Sequence, residues 1–202
     1  MPAKIFSAFF FSLAAGFSVS VQTASAETQT AIFAGGCFWC VEKDFDNVPG
    51  VTATTSGFSG GTLENATYQN HEGHREVVKI EFDPAKTSFE KLAAVLFRSV
   101  DPTDDGGQFC DRGHAYTTAI YVADDAQKAA AEKAKAEAEA ALGKPVVTPI
   151  ETAGTFWQAE DYHLDYYKKN PLRYKYYRSA CGRDARLEEL WGEAAHQGIE
   201  GY

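Results

Sequence analysis

Apolar and polar positions follow one another along the chain in a pattern that predicts alternating short strands and helices. The first strand runs from Thr30 to Ala34 and ends in Gly35-Gly36. From Cys37 to Asn47 the larger side chains Trp39, Val41 and Phe45 mark a helix, stopped by Pro49-Gly50. Val51 to Phe58 is rich in β-formers and ends in the turn signal Ser59-Gly60-Gly61. A polar loop from Thr62 to Gly73 precedes another strand, Val77 to Phe82, closed by Asp83-Pro84. Ser88 occupies an N-cap position before Leu92, Val95 and Leu96, which stand at helical spacing. Asp101 to Arg112 is polar and glycine-rich, hence loop, and Thr117 to Val122 is the next strand. Asp124 to Leu142 is an Ala/Lys/Glu helix ended by Gly143, with most of its surface facing solvent. Val146 to Glu151 is a strand interrupted by Pro149, which suits an edge. Trp157 to Tyr167 reads as a helix that stops before Asn170-Pro171. Strands and helices mix without regular β-α-β spacing, so the expected fold class is α+β.

The N-terminus changes this picture. Met1-Pro-Ala-Lys4, an apolar run from Ile5 to Val21, and Thr23-Ala-Ser-Ala26 have the order of a secretory signal peptide. The apolar run is short for a spanning helix and is broken by Ser7, Ser12, Gly16 and Ser18. The expectation is a signal peptide over residues 1–26, cleavage after Ala26, and export to a periplasm or the extracellular space. Residues 27–202 then form one domain, with a core of about residues 30–177 and a tail of 178–202, and no stable membrane insertion after cleavage. A net charge of −9 argues against a phosphate-backbone binder, so no nucleic-acid partner is expected. Six tyrosines between Tyr162 and Tyr177 make that region either a packing platform or a binding rim.

The four cysteines, Cys37, Cys40, Cys110 and Cys181, are too few to be the framework of a domain this size. Cys37 stands where a glycine-ended strand becomes a helix. Free amides and the helix dipole at such a terminus favour a thiolate and lower a thiol's pKa. Cys40 lies one turn further on, within reach of a disulfide with Cys37. Taken alone, Cys37-x-x-Cys40 points equally to a thioredoxin-like dithiol–disulfide oxidoreductase. An exported binding module with structural bridges is the alternative from another class. His71-x-x-His74 lacks the spacing of the two-histidine zinc helix and lies in a loop, so no metal is expected. Nor is there a phosphate loop or dinucleotide fingerprint, and no cofactor is expected.

Gly35-Gly36-Cys37-Phe38-Trp39 resembles the signature of the A-type peptide methionine sulfoxide reductases. Pro49-Gly50-Val51, Ser56-Gly57-Phe58-Ser59-Gly60-Gly61, Ala66-Thr67-Tyr68 and Gly73-His74-Arg75-Glu76-Val77-Val78 follow in that family's order. So do Phe82-Asp83-Pro84, Asp101-Pro102-Thr103, Asp111-x-Gly113-x-x-Tyr116, Ala119-Ile120-Tyr121 and Lys169-Asn170-Pro171. The match spans Ile32 to about Tyr177.

The resemblance implies a single two-layer domain with a mixed sheet and packed helices. It implies reduction of methionine S-sulfoxide, free or in proteins, with Cys37 as the nucleophile and Glu76 as the proton donor. Tyr68 and Tyr116 match tyrosines that bond the sulfoxide oxygen, Asp111 an aspartate that organises the site, and Phe38 and Trp39 the walls of a methyl pocket. A carboxyl that donates near neutrality must have a raised pKa, which burial supplies. After attack, Cys37 carries a sulfenic acid that a second thiol condenses to an intramolecular disulfide. Cys181, Cys40 and Cys110 compete for that part: the family's habit favours Cys181, Cys40 replaces the signature's usual glycine, and Cys110 stands where many members have asparagine. The implied partner is a thioredoxin-like reductant acting on a monomer.

Overall fold

The computed structural model describes residue 1 and residues 27–202; the signal peptide expected over residues 1–26 lies outside the described residues. Strand β1 (Gln29–Gly35) is followed by α1 (Phe38–Phe45), β2 (Val51–Ser59), β3 (Arg75–Phe82) and α2 (Phe89–Ser99). A two-stranded hairpin, β4 (Gly107–Gln108) with β5 (Asp111–Arg112), precedes β6 (Thr118–Val122), α3 (Asp125–Leu142), β7 (Ile150–Thr152) and β8 (Trp157–Gln158). The chain closes with α4 (Tyr166–Lys169), α5 (Pro171–Ala180) and α6 (Arg183–Trp191). Six strands form one sheet in the order β7-β6-β1-β3-β2-β8. Only the β6–β7 pair is parallel, so the sheet is mixed, and the class is α+β as expected.

The period-two alternation of the strands decides which side chains meet the helices. On β3, Val78, Ile80 and Phe82 enter the main core with Val41 and Phe45 of α1 and Leu92 and Leu96 of α2. Val77 belongs to a second cluster, with Ala34, Ala119 and Tyr121, across the sheet. The same alternation places Glu76 on the helix face and Arg75 opposite, where Arg75 donates to Tyr121 Oη (2.8 Å) and Glu151 Oε2 (3.0 Å). Phe33 packs its ring 5.6 Å from Phe45 and 5.5 Å from Phe89 at the centre of the core.

Several helix ends follow the sequence. The Ser88 side chain accepts from the Lys91 amide, Asp124 caps α3 through the Gln127 amide, and Gly143 ends α3 in the left-handed region. Only Ala131, Ala134 and Ala138 of α3 are buried, the narrow stripe its composition implies.

The helix expected over Trp157–Tyr167 is not formed. Trp157 and Gln158 pair with β2 instead, and the Ala159 amide donates to Ser56 O (3.0 Å). This approach needs Gly57: a Cβ there would stand 2.4 Å from Trp157 O. Helix resumes only at Tyr166. Of the strand expected over Val146–Glu151, only Ile150 and Glu151 pair, in a strand that runs on to Thr152 at the sheet edge, because Pro149 has no amide to offer. The loop expected over Asp101–Arg112 contains the β4–β5 hairpin. Residues 178–202, expected as a tail, include α6 and bury Leu187, Trp191 and Ile199 in the main core. Their apolar spacing is sparse, so the sequence pattern under-reports them.

Candidate active site

Two glycines deliver Cys37. A Cβ on Gly35 would lie 2.8 Å from Val41 and 3.0 Å from Val100, and Gly36 has φ +82° with Gln108 2.6 Å from where its Cβ would be. The tight turn puts Cys37 at the N-cap of α1, its carbonyl accepting from the Cys40 amide (3.0 Å). The Phe38 amide, one of the donors a helix start leaves unpaired, donates to Glu76 Oε2 (2.9 Å). One strand side chain thus caps the helix beside the cysteine.

Cys37, Phe38, Trp39, Tyr68, Glu76, Asp111 and Tyr116, all anticipated from the sequence, line one cleft of about 70 Å³ together with Tyr177. That space suits the tip of a side chain, well under the several hundred Å³ of a site for a larger ligand. Surface grooves of about 500 to 600 Å³ exist elsewhere, but none holds these residues. Phe38 is buried, and its ring centroid is 6.4 Å from that of Tyr68. Trp39 lies flat on Tyr166, 3.7 Å between centroids and 7° between planes.

Glu76 is 2% exposed. Burial pushes its carboxyl up to about 8, with Asp111 and Cys40 adding to the rise and the Phe38 amide opposing it. The group is therefore neutral at pH 7, and with Oε2 occupied as an acceptor its proton is free to sit on Oε1. Burial raises Tyr68 and Tyr116 above the ordinary phenol value, so both remain hydroxyl donors.

The two buried thiols are shifted in opposite directions. Burial pushes the Cys37 thiol well up, and its hydrogen bond to Cys40 pushes the same way. Cys40 is drawn down to about 6, first by that hydrogen bond and then by the cations Arg183 and Arg178, against its burial. At Cys37 burial thus opposes the lowering expected from its place at a helix N-terminus, and the thiol drawn down is Cys40.

Cys110 and Cys181 are joined in a disulfide, while Cys37 and Cys40 are free thiols. Among the described residues, Cys110, Asp111 and Cys181 are a cluster with metal-binding atoms close together, but two of the three atoms are the bonded sulfurs. His74 is engaged by the Gly61 amide and Leu63 O, and His71 by Thr67 O and Tyr68 O. Both histidines brace the loop.

Three further residues near the site are assigned no individual role by the sequence. Tyr177 donates to Asp111 Oδ2 and lines the cleft beside Cys37. Arg183, fully buried, donates to Gly35 O (2.9 Å) and Ser99 O (2.8 Å), fixing the strand end that presents Cys37. His163 accepts the Trp39 indole N–H (3.0 Å). Tyr177 and Arg183 come from helices that begin beyond Asn170, and only the tyrosine cluster hinted at a role there.

Residues 29–195 match the family model described as peptide methionine sulfoxide reductase. The chain is 57% identical over 177 residues to the peptide methionine sulfoxide reductase MsrA 2 of Rhizobium meliloti, covering 87% of this chain and 89% of that one. It is 50% identical over 174 residues to the protein of the same name from Caulobacter vibrioides, covering 84% and 88%. Among solved structures, methionine sulfoxide reductase A of Corynebacterium diphtheriae superposes with a TM-score of 0.63 at 32% identity, covering 72% of this chain and 76% of that one.

Proposed function

We propose a catalytic cycle from one premise: this chain belongs to the A-type peptide methionine sulfoxide reductase family. It is an enzyme that reduces methionine S-sulfoxide to methionine through a cysteine sulfenic acid and an intramolecular disulfide. The observation that carries the cycle is the Glu76 carboxyl, neutral and bonded to the first amide of the helix that Cys37 begins.

The sulfoxide enters with its methyl group against Phe38 and Trp39 and its oxygen toward Tyr68, Tyr116 and Glu76. Cys37 passes its proton to the Cys40 thiolate and attacks the sulfur. This forms a bond between the Cys37 sulfur and the substrate sulfur as Glu76 gives its proton to the oxygen. The hydroxyl then passes to the Cys37 sulfur, the S–O bond of the substrate and the new S–S bond break, and the products are the thioether and Cys37–S–OH. Cys40, now a thiol, attacks the Cys37 sulfur; the S–O bond of the sulfenic acid breaks and the hydroxyl leaves with the Cys40 proton as water. Two thiol equivalents are oxidised and one sulfoxide is reduced. Asp111, bound to Tyr177, holds the polar side of the cleft.

Cys40 is the resolving residue in this cycle. It adjoins Cys37 and is a free thiol, whereas Cys110 and Cys181 occupy each other. In a single turnover without added reductant, Cys40→Ser is expected to reduce about one equivalent of sulfoxide and stall with a sulfenic acid trappable by a 1,3-diketone. A disulfide from Cys37 to Cys110 or Cys181 in that variant, seen by peptide mass, would transfer the role to whichever thiol is found.

Regeneration needs an external dithiol, and a thioredoxin-like protein fits because each cycle ends on a disulfide. Export, with residues 1–26 as a cleaved signal, is supported by the charge and apolar order of that segment. Among the described residues no helix is long and apolar enough to cross a membrane. The mass of the protein recovered from the envelope or medium is expected to begin at Glu27; an uncleaved Met1 species there would remove the assignment.

A further inference from the structure

His163 is 2% exposed and sits behind the cleft wall, in a stretch where the sequence suggested only a helix. Its Nδ1 accepts the indole N–H of Trp39 at 3.0 Å. A ring nitrogen that accepts carries no proton, so the imidazole is neutral and its proton is on Nε2. Nε2 is buried and has no hydrogen-bond partner among the described residues. The ring therefore makes one hydrogen bond and leaves its other polar atom uncompensated, a cost that a phenylalanine in the same packing would not carry. Burial also holds the pKa of His163 below the ordinary histidine value, in keeping with a neutral acceptor.

The bond acts on a ring otherwise held by apolar packing, which gives no direction to its N–H. The Trp39 indole is stacked on Tyr166 on one face, with Tyr177 edge-on at 5.8 Å, and a stack alone permits sliding and rotation in the plane. The bond to His163 fixes the direction of the N–H and with it the in-plane angle of the ring. His163 in turn is wedged among Phe38 (5.1 Å between centroids), Tyr68 (4.3 Å) and Tyr162 (4.1 Å), so it has little freedom to follow a rotating indole.

We propose that His163 is a positioning residue whose Nδ1 holds the Trp39 indole at the angle that sets the depth of the methyl cup, and so sets the preference for a methyl over an ethyl sulfoxide. The proposal rests on Trp39 being a wall of that cup. One methylene in a fitted apolar pocket changes selectivity about 10- to 200-fold, so a wall free to rotate forfeits much of that factor.

The test compares His163→Phe, which keeps the ring and removes the acceptor, with His163→Gln, whose amide oxygen restores one, and with Trp39→Phe. Rates are measured on the S-sulfoxides of methionine and ethionine. His163→Phe is expected to cut the methionine-over-ethionine ratio of kcat/KM about tenfold, mainly through a higher KM for methionine sulfoxide, with kcat within about threefold. His163→Gln is expected to recover most of the ratio, and His163→Phe should add nothing in a Trp39→Phe background. Nitrogen-15 NMR of the unmodified enzyme should show an unprotonated Nδ1 on His163. An unchanged ratio in His163→Phe beside a lowered one in Trp39→Phe overturns the role of His163 and keeps the cup, as does equal loss in the Gln and Phe variants. An unchanged ratio in Trp39→Phe overturns the cup itself. If His163→Phe does not fold, a protonated Nδ1 in the unmodified protein is enough to overturn the proposal.

Discussion

Cys37→Ser is expected to abolish sulfoxide reduction, by a factor on the order of a thousand or more. The chemistry leaves no bypass. A sulfur nucleophile accepts the oxygen as a sulfenic acid, which a neighbouring thiol then discharges as water. An oxygen nucleophile in its place would have to end in an O–O bond, and an alcohol is neither soft enough for the substrate sulfur nor ionised at neutral pH. The fold should tolerate the change. Serine is close to isosteric, and the turn that presents residue 37 is held by Gly35, Gly36 and the Arg183 bond to Gly35 O, none of which uses the thiol. Chiral chromatography of a methyl sulfoxide incubated with dithiothreitol should show no loss of the S epimer above the enzyme-free control, alongside a thermal midpoint within a few degrees of the parent. Turnover persisting at more than a few per cent in the variant would end the assignment of Cys37.

The elements that position this chemistry were legible where a local pattern decides them. Ser88 and Gly143 announce helix ends because capping is a matter of a few adjacent residues, and both cap as expected, while Asp124, read as the first residue of α3, is its N-cap. The alternation along β3 is enough to put Glu76 on the same face as Val78, once that face is known to be the core. Nothing local says which face that is, and without the family resemblance the carboxylate reads as a solvent-facing charge. The region after Ala153 was misread because its hydrogen bonds are non-local: Trp157 and Gln158 pair with a strand a hundred residues earlier, across a glycine whose importance lies in the side chain it lacks. The individual parts of Tyr177, Arg183 and His163 escape a local reading for the same reason, since each acts on a residue more than sixty positions away. The lowering of Cys40 also depends on distant partners, as Arg178 and Arg183 arrive from helices the sequence hardly suggests. A helix N-terminus biases a thiol toward its anion, but at Cys37 burial acts the other way.

Glu76→Gln should lower turnover by about a hundred- to ten-thousandfold while making the protein more stable in mild alkali. Glutamine keeps the volume and the acceptor for the Phe38 amide, so the start of α1 is undisturbed, but it has no acid proton to give the departing oxygen. In the parent enzyme, kcat/KM should rise as Cys40 ionises near pH 6 and fall as Glu76 loses its proton near pH 8. The variant's residual rate should lack the alkaline limb. The stability effect has the opposite sign from that of a salt-bridged carboxylate. The folded state raises Glu76 from 4.5 to about 8, so between those values the unfolded chain is ionised while the folded chain keeps its proton. Folding therefore binds a proton, and stability falls as pH rises through that window, by a few kcal/mol in total. Glutamine does not titrate, so the two proteins should differ little below about pH 4.5 and most above pH 8. Urea unfolding at pH 5 and pH 8.5 measures this directly. A variant less stable than the parent at the higher pH, or one that reduces sulfoxide at the parental rate, means that residue 76 is an ordinary carboxylate and the proton comes from elsewhere.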